Sequence, residues 1–294
     1  MAAIDTAQRA QTLVRPWTPA RGYALLLLAP AAVLAIFFIW PLVQVVIRSL
    51  VEPEIGLGNY ARIFATTTYL RVIANTMTLA ATVALVTLVL AYPVAWMVSG
   101  ARGNTLYFCL ALILIPFWTS VVIRTFAWMV LFQRRGVLNS FLVSSGLIEQ
   151  PLRLMHNSIG VHIGMVHILL PFMVLPLLSS MRSIDPTIMR AASVLGANPL
   201  RQFVHVYLPL TMPGVSAGVL LVFISALGFF ITPALLGGPQ NMTIAVLIEQ
   251  QTSRLLDWPM ASALASLLLA ATALLYLLYD RISRHLGAAG VLGG

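Results

Sequence analysis

Long apolar stretches separated by short polar segments set the pattern of this chain. Six of them, at roughly 23–47, 72–98, 106–132, 158–181, 213–236 and 260–280, reach the length of about 20 residues that a helix needs to cross hydrocarbon. Backbone N–H and C=O groups inside lipid must be bonded within their own segment, so each stretch is expected to be a helix. None has the strict alternation of a barrel strand. Of the connections, 48–71 is polar, with Glu52, Pro53, Glu54 and Asn59, and 99–105 reads as a tight turn. The connection 133–157 carries Arg134, Arg135, Gly136 and Glu149, and 237–259 opens on Gly237-Gly238-Pro239 with an apolar piece at 244–248 too short to span. Pro93, Pro116, Pro171, Pro176 and Pro233 lie inside the apolar stretches, where each removes a hydrogen bond and loosens its helix.

Composition turns this pattern into a membrane assignment. The 294 residues are 60% hydrophobic and 9% charged, against about 25% charged in soluble domains. A soluble protein of this size has no core large enough for so much apolar surface. The net charge of +9 sets 17 basic residues, all arginine, against 8 acids. These arginines sit mostly in short loops, where they orient spans and meet anionic lipid, so nucleic acid is not the expected partner. With the N-terminus inside, nine arginines fall on inner segments and seven on outer ones, a weak bias of the right sign. Arg9, Arg15 and Arg21 before an apolar run imitate a signal peptide, yet that run continues to about residue 47, so it is expected to be an uncleaved first span. The expected organisation is a cytoplasmic tail at 1–22, a six-span domain at 23–284 containing a loop at 182–212, and a cytoplasmic tail at 285–294.

The loop between the fourth and fifth stretches has the most internal structure. Asp185 suits a helix N-cap and Pro186 a first helical position. Arg190, Ala191 and Ala192 continue that helix, and Gly196 offers the left-handed residue that ends it. Asn198 and Pro199 repeat the cap-plus-proline start, and Pro209 is expected to close the second helix. The result is a hairpin displayed at the membrane surface, with a small-residue face of Ala191, Ala192 and Gly196.

This segment resembles the EAA loop of ABC importer permeases: Glu-Ala-Ala, three residues, Gly, nine residues, then Ile-x-Leu-Pro. Ala191, Ala192, Gly196, Val206, Leu208 and Pro209 stand at the required offsets, and Pro213-Gly214 follows where the family has Pro-Gly. Arg190 stands where the family has glutamate. Other stretches are similar to the spermidine/putrescine branch: Asn75-Thr76, Tyr92-Pro93, Pro116-Phe117-Trp118 with Ser120 and Arg124, Gly136 with Asn139, and 230–238 from Phe230 to Gly238. The resemblance implies an all-α integral membrane protein of six transmembrane helices with the type I ABC importer permease fold and a cytoplasmic coupling hairpin. It further implies a second permease subunit, a cytoplasmic ATPase dimer, an extracytoplasmic solute-binding protein, and a bacterial inner-membrane location with both termini cytoplasmic. It assigns ATPase coupling to Asp185, Arg190, Ala191, Ala192, Leu195, Gly196, Ala197 and Phe203.

The residues exclude most chemistry. A P-loop needs lysine, so ATP and its magnesium belong to a partner subunit and this chain is not expected to be an enzyme or to bind a cofactor. No zinc-protease pattern or nucleophile elbow occurs. The single Cys109 excludes an internal disulfide and a cysteine-built zinc site. Among His156, His162, His167, His205 and His285, the pair His162 and His167 is five apart on one span, which suits interhelical hydrogen bonds better than a metal. The translocation path is expected to include Asn75, Phe117, Trp118, Ser120, Arg124 and Phe230. None of the eight acids lies in the middle of a span, although a polyamine path calls for carboxylates or aromatic faces. Arg124 inside a span would suit an anionic or zwitterionic solute, which keeps opines and phosphonates as alternatives. A stand-alone secondary transporter would need mid-membrane acids or broken inverted repeats of its own. Arg190 is expected to pair with an acid of its ATPase; an Arg190→Glu variant with normal assembly and transport would exclude that pairing.

Overall fold

A computed structural model describes residue 28 and residues 30–291, with side chains as far as Arg281. The tail at 1–22 and the start of the first stretch lie outside the described residues, as do 292–294. The described residues form helices and turns, with no strand among them. In chain order the helices are α1 (Pro30–Val51), α2 (Gly58–Ala65), α3 (Thr67–Gly100), α4 (Gly103–Trp118), α5 (Val121–Phe132) and α6 (Val137–Ser144). They continue as α7 (Ser158–Ser183), α8 (Pro186–Val194), α9 (Pro199–Leu227), α10 (Ile231–Leu236), α11 (Ile244–Ser253) and α12 (Trp258–Val291). Five of these, α1, α3, α7, α9 and α12, are long and apolar enough to cross a membrane, and the bent α4–α6 segment makes six. The chain divides into two units after Arg48, with α2 to α12 all in the second.

Two expected spans are corrected. The third, at 106–132, is not straight: it breaks at Thr119–Ser120 and turns by 93°. Pro116 lies inside the helix just ahead of the break and loosens its last turn by withdrawing an N–H. The freed chain is held by Thr119, whose N–H and hydroxyl both donate to the Pro116 carbonyl, at 3.2 and 2.7 Å. The fifth, expected at 213–236, begins at Pro199 and ends at Leu227, and α10 is a separate piece beyond the Gly228–Phe230 break.

Pro209 therefore does not close a helix, because the helix widens just ahead of it. Phe203–Tyr207 forms one π turn, in which the Leu208 N–H bonds the Phe203 carbonyl five residues back. That re-registered bond lets the chain enter proline without ending the helix. The same device precedes Pro41, where a π turn at Ala35–Ile39 closes with the Trp40 N–H on the Ala35 carbonyl. The polar connections also hold short helices, α2 within 48–71 and α6 within 133–157.

The core is formed where α3, α7 and α9 pack on one another. On α7, Met165, Leu169, Met173 and Leu177 are buried at i, i+4 spacing. On α9, Gly214, Gly218, Val222 and Ala226 make the matching stripe. A Cβ on Gly214 would sit 2.5 Å from Ser180 Cβ and 2.7 Å from the Pro176 carbonyl oxygen, and one on Gly218 would sit 2.7 Å from Met173 Sδ. Lipid tails are as apolar as leucine, so close contact rather than water exclusion joins these helices, and small residues permit it. On α3 the buried face is small as well, with Ala80, Ala84, Ala91 and Ala95. A second cluster of Ile63, Val72, Ile244, Leu247, Met260 and Leu264 ties α2, α3, α11 and α12 together.

Gly214→Val is expected to destabilise the bundle by about 1–3 kcal/mol through overpacking. Gly58→Ala, at a position with no atom within 4 Å of the added carbon, is expected to change little. Thermal unfolding in detergent compares the two.

Candidate functional site

The hairpin at 185–202 is built from consecutive capping interactions. Asp185 Oδ1 accepts from the Thr187 N–H at 2.8 Å, with Pro186 in the first helical position. These bonds from Thr187 hold the Asp185 carboxyl below its ordinary value of 3.8. At the far end of α8, Gly196 takes φ +82°. The Gly196 N–H bonds the Ser193 carbonyl and the Ala197 N–H the Ala192 carbonyl, a Schellman closure that requires the left-handed glycine. Asn198 Oδ1 then accepts from the Arg201 N–H at 2.8 Å to start α9. Gln202 Nε2 staples the two arms, donating to Ser193 Oγ at 2.9 Å and to the Ala197 carbonyl at 2.7 Å.

The hairpin presents an apolar tip to its surroundings. Val194, Leu195 and Leu200 are 87%, 86% and 71% exposed, and Arg190, Ala191, Gly196 and Arg201 are exposed around them. Ala192 and Ala197 are half-buried in the turn. Phe203 points the other way: it stacks on Tyr207 and meets Tyr92 of α3 edge-on at 6.0 Å, anchoring the hairpin to the bundle. Tyr92 in turn bonds Thr211 of α9 through its hydroxyl at 3.0 Å. Val194 and Leu200 escaped the sequence reading, whose attention was on the small residues; their signal was bulky aliphatics beside a turn glycine in a polar loop.

A groove runs along the seam between α3 and α7. Its polar section, about 210 Å³, is lined by Asn75, Thr78, Thr82, Ser158, His162 and Asn241. His162 also lines an adjoining apolar section of about 380 Å³, with Val86, Leu90, Trp128, Val166, His167 and Leu170. His162 Nδ1 lies 2.7 Å from the Ser158 carbonyl oxygen, so that nitrogen is the donor, and Nε2 lies 2.7 Å from Thr82 Oγ1. Trp128 Nε1 donates to His167 Nδ1 at 3.3 Å. Both histidines thus bond across helices, as their spacing suggested, and no cluster of metal-ligating side chains occurs among the described residues. Asn75 Nδ2 donates to the Gln240 carbonyl at 2.8 Å, and Thr76 Oγ1 accepts from the Ile244 N–H at 2.9 Å, tying α3 to the segment that leads into α11. No charged side chain lines either section.

Of the six expected path residues, the groove takes in Asn75 alone. The others gather at the two helix breaks. Phe117 meets Phe172 of α7 edge-on at 5.3 Å, and Trp118 is 85% exposed at the end of α4. Ser120 is the N-cap residue of α5, and its carbonyl accepts from the Arg124 N–H. Phe230 is the N-cap residue of α10. The pieces after the breaks pack together, with Thr125 and Thr232 hydroxyls 3.2 Å apart. Thr78, Thr82 and Ser158 were not among the expected path residues, and His162 was expected only to bond between helices; the signal on α3 was an amide and hydroxyls at positions 75, 78 and 82 in an otherwise apolar helix.

Six segments long and apolar enough to cross a membrane, and a capped surface hairpin, are present among the described residues. The chain matches the family described as "Binding-protein-dependent transport system inner membrane component" over residues 21–288, and it belongs to that family. It is therefore the permease subunit of an ABC importer, an inner-membrane component and not the ATP-hydrolysing one.

Among curated relatives, it is 38% identical over 238 residues to the spermidine/putrescine transport system permease protein PotB of Escherichia coli K12, covering 81% of this chain and 86% of that one. The PotB of Haemophilus influenzae is 36% identical over 232 residues, covering 79% and 81%. A putative 2-aminoethylphosphonate transport system permease protein, PhnU of Salmonella typhimurium LT2, is 25% identical over 278 residues, covering 89% and 92%. Among solved structures, a bacterial ABC transporter involved in alginate import superposes with TM-score 0.75 at 20% identity, covering 91% of this chain and 96% of that one. The type I permease fold is thereby shown.

The Asp185 cap carries a pH signature. Its carboxyl is depressed in the folded hairpin, so the stability it adds is fully present above the ordinary value of 3.8 and is lost as pH falls through the lowered one. Amide exchange at the start of α8, corrected for its intrinsic pH dependence, is expected to rise over that acid window. Asp185→Asn, which still caps, is expected to abolish the rise.

Proposed function

We propose that this permease conducts a polyamine of the spermidine or putrescine type, received from a solute-binding protein and driven by an ATPase dimer seated on the 185–202 hairpin. The observation that carries the reading is the 38% identity to PotB across 81% of the chain. The groove supports it chemically. Thr78, Thr82 and Asn75 offer neutral oxygens that accept from an ammonium group, and the absence of charge along the lining keeps the hold weak enough for release.

The hairpin lies on the cytoplasmic side in this reading, with both termini there too. Its apolar tip of Val194, Leu195 and Leu200 enters the ATPase, and Arg190 faces an acid of that partner in place of the family glutamate. Movement then has a direct route into the membrane. α8 follows α7 after two residues, and α9 rises from the hairpin without interruption. The close Gly214 and Gly218 contacts make α7 and α9 move as a pair. Closure of the ATPases displaces the hairpin, tilts that pair against α3, and alternately opens the α3–α7 seam to each side. Two polar ties mark that seam, His162 to Thr82 and Arg182 Nη2 to the Ala101 carbonyl at 2.9 Å. Release is downhill because the inward-open form has the lower affinity.

Proteoliposomes holding the assembled importer and its binding protein are expected to accumulate labelled spermidine only with ATP inside the ATPase compartment. Excess putrescine should compete and 2-aminoethylphosphonate should not; uptake of the phosphonate instead would overturn the substrate. A cysteine replacing Leu195, in a Cys109→Ser background, is expected to cross-link to the ATPase. Absence of the cross-link in every nucleotide state would sink the hairpin's role.

A further inference from the structure

A cleft of about 850 Å³ opens where the ends of α3 and α7 meet the start of α8. Trp96 and Met97 of α3, Arg102 of the α3–α4 turn, Arg182 of α7, Met189 of α8 and Tyr207 of α9 stand on its walls. Arg182 Nη2 donates to the Ala101 carbonyl at 2.9 Å, so its guanidinium is pinned to the backbone immediately ahead of Arg102. Two arginines from distant parts of the chain thus share one cleft, and no acid lines it. Beyond that one bond, neither side chain has an ion pair or hydrogen bond among the described residues. The acid nearest to Arg182 along the chain, Asp185, bonds the Thr187 N–H in the α8 cap.

Two like charges brought together without an acid make the cleft a receptor for an anion. A guanidinium carries five N–H donors in a planar fork, and the Ala101 bond leaves Arg182 most of them. Such a fork takes phosphate oxygens in pairs. The other walls decide the source of the phosphate. Trp96 and Met97 are 55% and 73% exposed about one turn inside the end of α3, the depth at which tryptophan meets lipid headgroups. The cleft shares its membrane face with the hairpin through Pro186 and Met189, and the cytoplasmic leaflet is the one with a negative surface. We propose that Arg102 and Arg182 bind a phosphate group supplied by an anionic phospholipid, with Trp96 and Met97 against its glycerol and upper acyl chains. The importer reading enters only in the choice of membrane face. Bound there, the phosphate bridges the α3–α4 turn and the α7–α8 junction, and so braces the root of the hairpin.

The test places the assembled importer in phosphatidylcholine nanodiscs holding a trace of photoactivatable phosphatidylglycerol, and reads the labelled peptides by mass spectrometry. Labelling is expected within 96–102 and 181–189 and should be competed by unlabelled phosphatidylglycerol, in spite of the phosphatidylcholine excess. Replacing both arginines, Arg102→Gln with Arg182→Gln, is expected to raise the phosphatidylglycerol needed for half-maximal labelling about 30-fold. Arg102→Gln alone breaks no bond among the described residues, so its share, about 5-fold, reads charge and not folding. Arg281→Gln, at the end of α12 and outside the cleft, should change nothing. Radiolabelled inorganic phosphate retained by the wild type and not by the double variant, with no lipid label at these peptides, would keep the phosphate site and overturn the lipid. Three outcomes would overturn the inference altogether. They are labelling that the double variant leaves unchanged, binding of neither lipid nor phosphate, or a Met97→Cys side chain, in a Cys109→Ser background, that cross-links to another subunit and so shows protein filling the cleft. Every reading is made without solute or ATP, so a complex that moves no solute leaves this test standing.

Discussion

The bond from the Leu208 N–H to the Phe203 carbonyl governs how this molecule is put together. In hydrocarbon no water replaces a missing helix bond, so a proline at the entry to a span would ordinarily mark the end of the helix below it. By reaching back five residues instead of four, the chain adjusts its register ahead of Pro209 and continues as one rod from Pro199 to Leu227. A surface hairpin and a buried span thereby become one mechanical body. If the helix stopped at Pro209, movement of the hairpin would be absorbed by a hinge at the membrane surface.

Rigidity is maintained on both sides of that rod. Outside the apolar core, two cap side chains, one left-handed glycine and the Gln202 staple fix the turn of the hairpin. Inside, Gly214 and Gly218 let α9 approach α7 so closely that an added carbon collides with backbone or with Met173. Between the two regions, the Phe203, Tyr207 and Tyr92 rings and the Tyr92–Thr211 bond carry the connection to α3. The polar groove lies on the seam that these contacts leave between α3 and α7, and its walls belong to helices joined differently to the hairpin.

Local chemistry made much of this legible in advance. The Asp185 and Asn198 caps, the Pro186 and Pro199 starts and the Gly196 stop are decided by residues within four positions of one another, and the structure repeats them. The apolar stretches likewise announced helices, since length and composition alone determine what lipid tolerates. The misplaced elements were those where prolines act. The third crossing breaks just past Pro116, whereas the fifth runs on through Pro209 behind a π turn that no residue type signals. The groove was legible only at Asn75, because Thr78, Thr82 and His162 become one site through the pairing of two helices 80 residues apart in the chain.

The sequence by itself determined that this protein lives in a membrane, crosses it as helices and displays a capped hairpin, because those properties follow from hydropathy, capping and backbone conformation over short spans of chain. Its family was also readable there, from offsets between Ala191 and Pro209 that survive the loss of the usual glutamate at Arg190. Only the tertiary structure decided that hairpin and span are continuous, that the third crossing turns by 93° and that hydroxyls from separate helices share a groove with His162. It alone also showed that Arg124 Nε and Nη1 are shielded without an acceptor among the described residues. These outcomes depend on which surfaces meet, and contact between distant segments is set by packing, which no local pattern of residues contains.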